Sequence, residues 1–311
     1  MLVLLFAVSV ARSGEVIGRE FDFDGLSDVD EREALMMVNG AEGGATDALY
    51  YGGLLALYGK GGVAQSSARA VAYFRQAAEQ GHAASQTALG RLLRHGVGVK
   101  RDDDASFAWL SRAARAGHPD ASWLLGVAYF ERNDTATAKE WLLLSTGGRG
   151  GGLRDDDATS SAEVSPDAAH WLGVVAEYEG DFPEARRWYE KASARGHTEA
   201  TFHLGLLRAY GRGCDQDLTR AAILFQKAAS EKQHAGATFY LALMHLYGHG
   251  GLRVNYDAAR HWFQRAEATN DAAFAPKAAE ARRELEHSLA MATSATQGTL
   301  DKLLKENERR F

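Results

Sequence analysis

The stretch TDALYYGGLLALYGKGG at residues 46–62 returns at residues 198–214 as TEATFHLGLLRAYGRGC. Ala48 falls on Ala200, Gly53 on Gly205, Tyr58 on Tyr210, and the pair Gly59-x-Gly61 on Gly211-x-Gly213. Two further copies keep the frame, Gly90 with Gly96-x-Gly98 and Ala242 with Gly248-x-Gly250. Small anchor residues recur at Gly53, Gly90, Gly126, Gly173, Gly205 and Ala242, at spacings of 37, 36, 47, 32 and 37 residues. A period of this length constrains the fold more than any composition does. One unit cannot bury its own apolar face, so copies must stack.

Each anchor is followed by a second signature. Ala70-x-x-Tyr73-Phe74-x-x-Ala77, Ala185-x-x-Trp188-Tyr189-x-x-Ala192 and Ala259-x-x-Trp262-Phe263-x-x-Ala266 space their apolar residues by three and four, on one helical face. The unit therefore reads as helix A with the anchor, a Gly-x-Gly turn, and helix B. The aromatics of helix B are expected to fill the gap between units, each burial contributing about 1.5–3 kcal/mol. Gly81, Gly117 and Gly196 stand just past helix B, where a left-handed cap is wanted. His82, His118 and His197 follow them, near a helix C-terminus that favours positive charge. A metal set is the competing reading of these histidines. Equivalent residues of stacked hairpins stand about 8–10 Å apart, whereas metal ligands need to lie within about 2.1 Å of one ion. No metal and no cofactor is assigned.

The 311 residues carry a net charge of −6, with 46% hydrophobic and 24% charged residues, as in an ordinary globular chain. That balance offers no basic surface and counts against nucleic acid or an anionic membrane as the main partner. Cys214 is the one cysteine, so no internal disulfide can form. The opening MLVLLFAVSVARSG reads as a signal peptide over residues 1–13, which implies the secretory pathway and the endoplasmic reticulum lumen. If the run is not a signal, the chain is cytoplasmic. With a working signal, Asn133-Asp134-Thr135 is a glycan acceptor, at Asn133. Residues 14–44 form an acidic segment. Within it Asp22, Asp24, Gly25 and Glu31 fit positions of a calcium loop, but Glu20 and Ser27 do not, so the segment reads as solvated. The glycines near residue 150 lack the Lys-Ser/Thr and the preceding strand of a phosphate loop.

The run ALGRLLRHGVGVKRDDDASFAWLSRAARAGH, Ala88 to His118, with its partial copy FHLGLLRAYGRGC and AAILFQKAA, resembles the Sel-1-like repeat, a relative of the tetratricopeptide repeat. The resemblance implies an all-α, right-handed α-solenoid of about six hairpins over residues 45–271. A glycine- and aspartate-rich loop, residues 146–167, interrupts it. A capping helix over 272–291 and a tail over 292–311 follow. The third and fourth units depart from the pattern, having no Gly-x-Gly.

The resemblance also implies a non-enzymatic adaptor that takes other proteins on its concave, helix A face. In that register the position three before each anchor holds Tyr50, Thr87, Trp123, His170, Phe202 and Phe239, flanked by Arg91 and Arg94. The neighbouring row, Tyr51, Leu124, Trp171, His203 and Tyr240, is nearly as apolar, and either row could be core. With a working signal, the resemblance points to a lumenal adaptor in endoplasmic-reticulum-associated degradation, whose partners are ubiquitin-ligase subunits or misfolded glycoproteins. A regulatory or envelope repeat protein with a dedicated partner is the alternative, and a secreted hydrolase a third.

Overall fold

The structure is a computed structural model and describes residues 31–146, 165–232 and 234–292. The signal at 1–13, residues 14–30 of the acidic segment with the trial calcium loop, residues 147–164 of the insertion, and residues 293–311 lie outside the described residues. Among the described residues there are fourteen α-helices and no strand. They are α1 (Glu31–Glu42), α2 (Thr46–Tyr58), α3 (Ser67–Glu79), α4 (Ala83–His95), α5 (Asp103–Arg115), α6 (Pro119–Glu131) and α7 (Thr135–Ser145). Then follow α8 (Pro166–Glu179), α9 (Phe182–Ala194), α10 (Thr198–Tyr210), α11 (Leu218–Lys232), α12 (Ala235–Tyr247), α13 (Tyr256–Ala268) and α14 (Ala275–Ala292). From α2 to α13 they form six successive hairpins of helix A and helix B. The all-α repeat of helical hairpins is thus present, with α14 after the last of them.

The chain divides into two compact parts, residues 31–171 and residues 172–292 of the described chain. The first has a core of Leu54, Leu55, Phe74, Leu89 and Leu92, with α1 laid against α2 through Ala41. A helix within the acidic segment was not expected. Met37, Val38 and Ala41 give it an apolar edge to bury. The second has a core of Phe202, Phe225, Phe239, Phe263, Phe274 and Leu285.

Local sequence fixes where the helices begin. Every B helix starts at a short polar residue whose side-chain oxygen accepts from the backbone N–H three residues on. Ser66 takes Arg69 N at 3.3 Å, Asp102 takes Ala105 N at 2.8 Å, and Asp134 takes Thr137 N at 3.1 Å. Asp181, Asp217 and Asn255 do the same at 3.0, 2.9 and 2.9 Å. The A helices of four hairpins stop on a glycine in the left-handed region: Gly59, Gly96, Gly211 and Gly248. In the third and fourth hairpins the shorter turn puts Asn133 (φ 65°) and Gly180 (φ 83°) in that region instead. Asparagine is among the few other residues that tolerate it.

One expectation is extended and another corrected. The second aromatic of helix B does face the next hairpin, as Tyr189 stacks on His203 at 5.1 Å and Phe225 on Tyr240 at 5.3 Å, and it also closes its own. A Cβ on Gly53 would lie 2.6 Å from Phe74 Cε1, and one on Gly205 2.6 Å from Phe225 Cε1. The anchor is small because a side chain of its partner helix lies against it, a ring at Gly53, Gly173 and Gly205 and a leucine, Leu110 or Leu142, at Gly90 and Gly126.

The histidines after Gly81, Gly117 and Gly196 also serve differently. The connection from each B helix to the next A helix is so short that the same histidine opens the following helix. His82 and His197 sit at N-caps, and their Nδ1 atoms accept from Ser85 N at 3.2 Å and Ala200 N at 3.1 Å. His234 repeats this with Ala237 N at 3.0 Å. His118 holds the cap position too, but its Nδ1 lies 3.4 Å from Thr87 Oγ1. An accepting Nδ1 carries no proton, and a helix N-terminus disfavours positive charge.

Burial holds His82 below the ordinary histidine range, against the pull of Asp47, and likewise His118, against Asp120. The unfolded chain therefore takes up protons that the folded chain resists. This contribution to stability is full above about pH 6.5 and is lost as pH falls through the lowered folded values. His82→Ala should cost about 0.5–2 kcal/mol. Thermal melts of wild type and variant from about pH 7.5 down to 5 should show the variant losing part of the acid sensitivity.

Candidate functional site

In the N-terminal part the A helices α2, α4 and α6 bring Tyr50, Arg91 and Trp123 together. Tyr50 is half-buried, its ring 5.1 Å from that of His82 and 5.9 Å from that of Phe74. Burial raises its phenol, with Arg91 pulling the other way and Asp120 adding to the rise. The Arg91 guanidinium stands over the Trp123 ring at 5.7 Å, a cation–π pair. Arg94 does not join this surface, because its Nη2 donates to Glu131 Oε1 at 2.7 Å and ties α4 to the end of α6.

The rest of the expected row is interior. Trp123 and His170 are each 6% exposed and Phe239 4%, while Phe202 is fully buried. The Phe202 ring contacts Phe225, His234, Tyr240 and Phe274, so it packs hairpin on hairpin. Of the seven residues expected to face a partner, Tyr50, Arg91 and Arg94 are partly exposed. Asn133 is exposed in the α6–α7 turn.

In the C-terminal part the accessible aromatics stand elsewhere, five residues after the anchor. Tyr210 is 52% exposed and Tyr178 37%. Tyr210 Oη lies 3.2 Å from Tyr240 Oη, which joins α10 to α12. Arg212 is exposed in the following turn, its guanidinium 5.5 Å from the rings of both Tyr210 and Phe182. A guanidinium stacked this way keeps its in-plane donors available to carboxylates. Sequence reasoning missed this pair: Tyr58, Tyr178, Tyr210 and Tyr247 all occupy that position of the repeat, but Tyr58 and Tyr247 pack against the cores of their own parts.

About two turns back from Tyr210 along α10, at His203, lies a buried polar chain. Tyr189 Oη of α9 donates to Glu177 Oε2 of α8 at 2.9 Å, and His203 Nδ1 is 3.3 Å from the same oxygen. His203 Nε2 lies 3.8 Å from Glu199 Oε1, and Glu199 Oε2 lies 2.8 Å from His234 Nε2. Among the described residues no group of three His, Cys, Asp or Glu side chains is placed to hold a metal ion, and no helix is long and apolar enough to cross a membrane.

The Sel1 repeat family matches this chain at residues 46–82, 83–118, 166–197, 198–232 and 235–268, more than half of its length. The α6–α7 hairpin is the one left unmatched between them. Among curated proteins the chain is similar to the chitin synthase regulator SKT5 of Saccharomyces cerevisiae, 28% identical over 190 residues, which is 58% of this chain and 27% of that protein. It thus spans about a quarter of that relative. Among solved structures it resembles a protective antigen present in uropathogenic Escherichia coli strains that displays an SLR fold. The TM-score is 0.70 at 24% identity, covering 90% of this chain and 58% of that one. A Sel1 repeat protein from Oxalobacter formigenes gives a TM-score of 0.56 at 21% identity, covering 72% of this chain and 83% of that one. At such identities the structures speak for the fold alone.

Proposed function

The chain belongs to the Sel1 repeat family, and from that premise we propose that it is a non-enzymatic scaffold that binds a dedicated protein partner on the exposed aromatic and arginine side chains of its A helices. The observation carrying this is the exposed Tyr210 with Arg212 over its ring, Tyr178 being exposed at the same repeat position of the preceding hairpin. Exposed tyrosines beside a stacked arginine are the residue types that dominate binding hot spots. Tyr50 with Arg91 over Trp123 offers the same chemistry in the N-terminal part. Both clusters suit a partner segment that carries carboxylates among apolar residues.

The chitin synthase regulator among its relatives supports a regulatory form of this function, in which the scaffold controls or recruits another protein. A lumenal adaptor of endoplasmic-reticulum-associated degradation is the second reading. It rests on the apolar run at residues 1–13 and the sequon at Asn133. Protease protection of the full chain in sealed microsomes separates the two. Protection lost on adding detergent favours the lumen, and digestion without detergent favours the cytoplasm.

The function itself is tested by cross-linking and capture from the source cell with Tyr210→Ala/Arg212→Glu. Partner capture should weaken by about 2 kcal/mol or more, roughly 30-fold, with the helical fold retained by circular dichroism. Ile223→Ala, at the exposed face of α11, is the control and should capture normally. Loss at Ile223 with retention in the double variant would sink the reading.

A further inference from the structure

We propose that Glu177, His203 and Glu199 form a protonation-dependent clamp between two successive C-terminal hairpins, which Glu199 extends to a third through His234, complete only while the His203 imidazole is a cation. The geometry sets the proton count. His234 accepts the Ala237 N–H at Nδ1, so its own proton is on Nε2 and is donated to Glu199. His234 is thereby satisfied as a neutral ring. His203 has a carboxylate at each nitrogen, Glu177 at 3.3 Å and Glu199 at 3.8 Å. A neutral imidazole donates on one side only, and it would turn a lone pair toward one of these carboxylates. Side-chain exposures of 9% for His203, 5% for Glu177 and 19% for Glu199 leave little water to repair that.

The groups facing His203 come from every element packed around it. Glu177 belongs to α8 and Tyr189 to α9, the latter stacked on the imidazole at 5.1 Å. Glu199 lies on α10 itself, and His234 opens α12. Tyr240 of α12 reaches His203 through the Phe202 ring, and Arg212 acts on Glu177 from the turn after α10. Burial raises Tyr189 and Tyr240, which stay neutral phenols throughout.

Burial works against the His203 cation, but the hydrogen bond and charge of Glu177, with Glu199 behind, hold it above the ordinary histidine range. Burial likewise works against the Glu177 carboxylate, and His203, Tyr189 and Arg212 together hold it below the ordinary range. The contribution of His203 is full below the unfolded value of 6.5 and is lost as pH rises through its raised folded value. That of Glu177 is full above the unfolded value of 4.5 and is lost as pH falls through its lowered one. The clamp is complete in mildly acidic solution, and the hairpins α8 to α12 loosen as the pH climbs from there. This is opposite in sign to the acid sensitivity that His82 and His118 give the N-terminal part. The clamp holds whether or not the Tyr210 surface takes a partner.

The test is imidazole nitrogen NMR of the full chain, with His203 assigned by the signals lost in His203→Gln. Both ring nitrogens should be protonated at about pH 7, with release only above the ordinary histidine value. Hydrogen-exchange protection of α8 to α12, corrected for intrinsic rates, should fall about tenfold between pH 6 and 9. In Glu177→Gln the His203 titration should move back toward the ordinary range and most of that dependence should vanish. A neutral His203 at about pH 6.5 in the wild-type chain overturns the proposal, as does protection that does not change with pH. Should Glu177→Gln fail to fold, the wild-type titration decides alone, and should His203→Gln fail, the pH dependence of exchange in α8 to α12 decides.

Discussion

Phe202→Ala should lower the stability of the C-terminal hairpins by about 3–5 kcal/mol, a large share of the roughly 5–15 kcal/mol that a domain commonly has. The ring is fully buried and touches helices of three different hairpins or caps. It lies against Phe225 of its own hairpin, 4.5 Å from His234 at the start of α12, and edge-on to Phe274 before α14. Gly236 leaves room for it, since a Cβ there would stand 2.7 Å from both Phe202 Cζ and Phe274 Cε2. Truncation would open a cavity that no single side chain can collapse into, because its walls belong to separate elements. Urea unfolding followed by circular dichroism measures the loss. A variant of wild-type stability that no longer captured a partner would put the ring on an open face after all.

That prediction marks where the sequence ceased to be legible. The period, the hairpins and the small anchors follow from spacing alone, because spacing of three and four has one physical meaning. Most B helices were clear for the same reason, with an apolar face and a charged one; α7, TATAKEWLLLS, is the exception. Helix A is different. In AGATFYLALMHLY and TDALYYGGLLALY nearly every position is apolar, since these helices are covered by their own B helix and by neighbouring hairpins. A helix apolar all round carries no signal of which side is open. The row of Phe202 and Phe239 was therefore indistinguishable from that of His203 and Tyr240. Repetition was no surer a guide, because the tyrosine position that is open at Tyr178 and Tyr210 packs against the core at Tyr58 and Tyr247. The histidines misled for another reason. One residue both follows a helix and precedes the next, and only the backbone angles tell which end it serves.

Gly213→Ala should be nearly as damaging, and it isolates what joins one hairpin to the next. Gly213 has φ +66°, and a Cβ there would meet Phe182 C at 2.4 Å and Pro183 N at 2.6 Å. Those are backbone atoms at the start of α9, in the preceding hairpin, and they have no rotamer with which to give way. Gly98 meets Ser67 C at 2.4 Å and Gly250 meets Leu218 O at 2.5 Å in the same manner. The second glycine of Gly-x-Gly is thus the point where successive hairpins touch backbone to backbone, while the first only ends helix A. Gly196 is the matched control, because its φ is +82° with nothing within 4 Å of a Cβ. Gly196→Ala should cost about 1–2 kcal/mol for the left-handed backbone alone. Gly213→Ala adds about 1–3 kcal/mol of overpacking. Equal losses for the two in urea unfolding would mean that the close approach does not hold the hairpins together. A larger loss at Gly213 would explain why the motif keeps two glycines. It would also explain the fourth unit, whose short turn at Gly180 carries a single left-handed residue and whose anchor lies only 32 residues before the next.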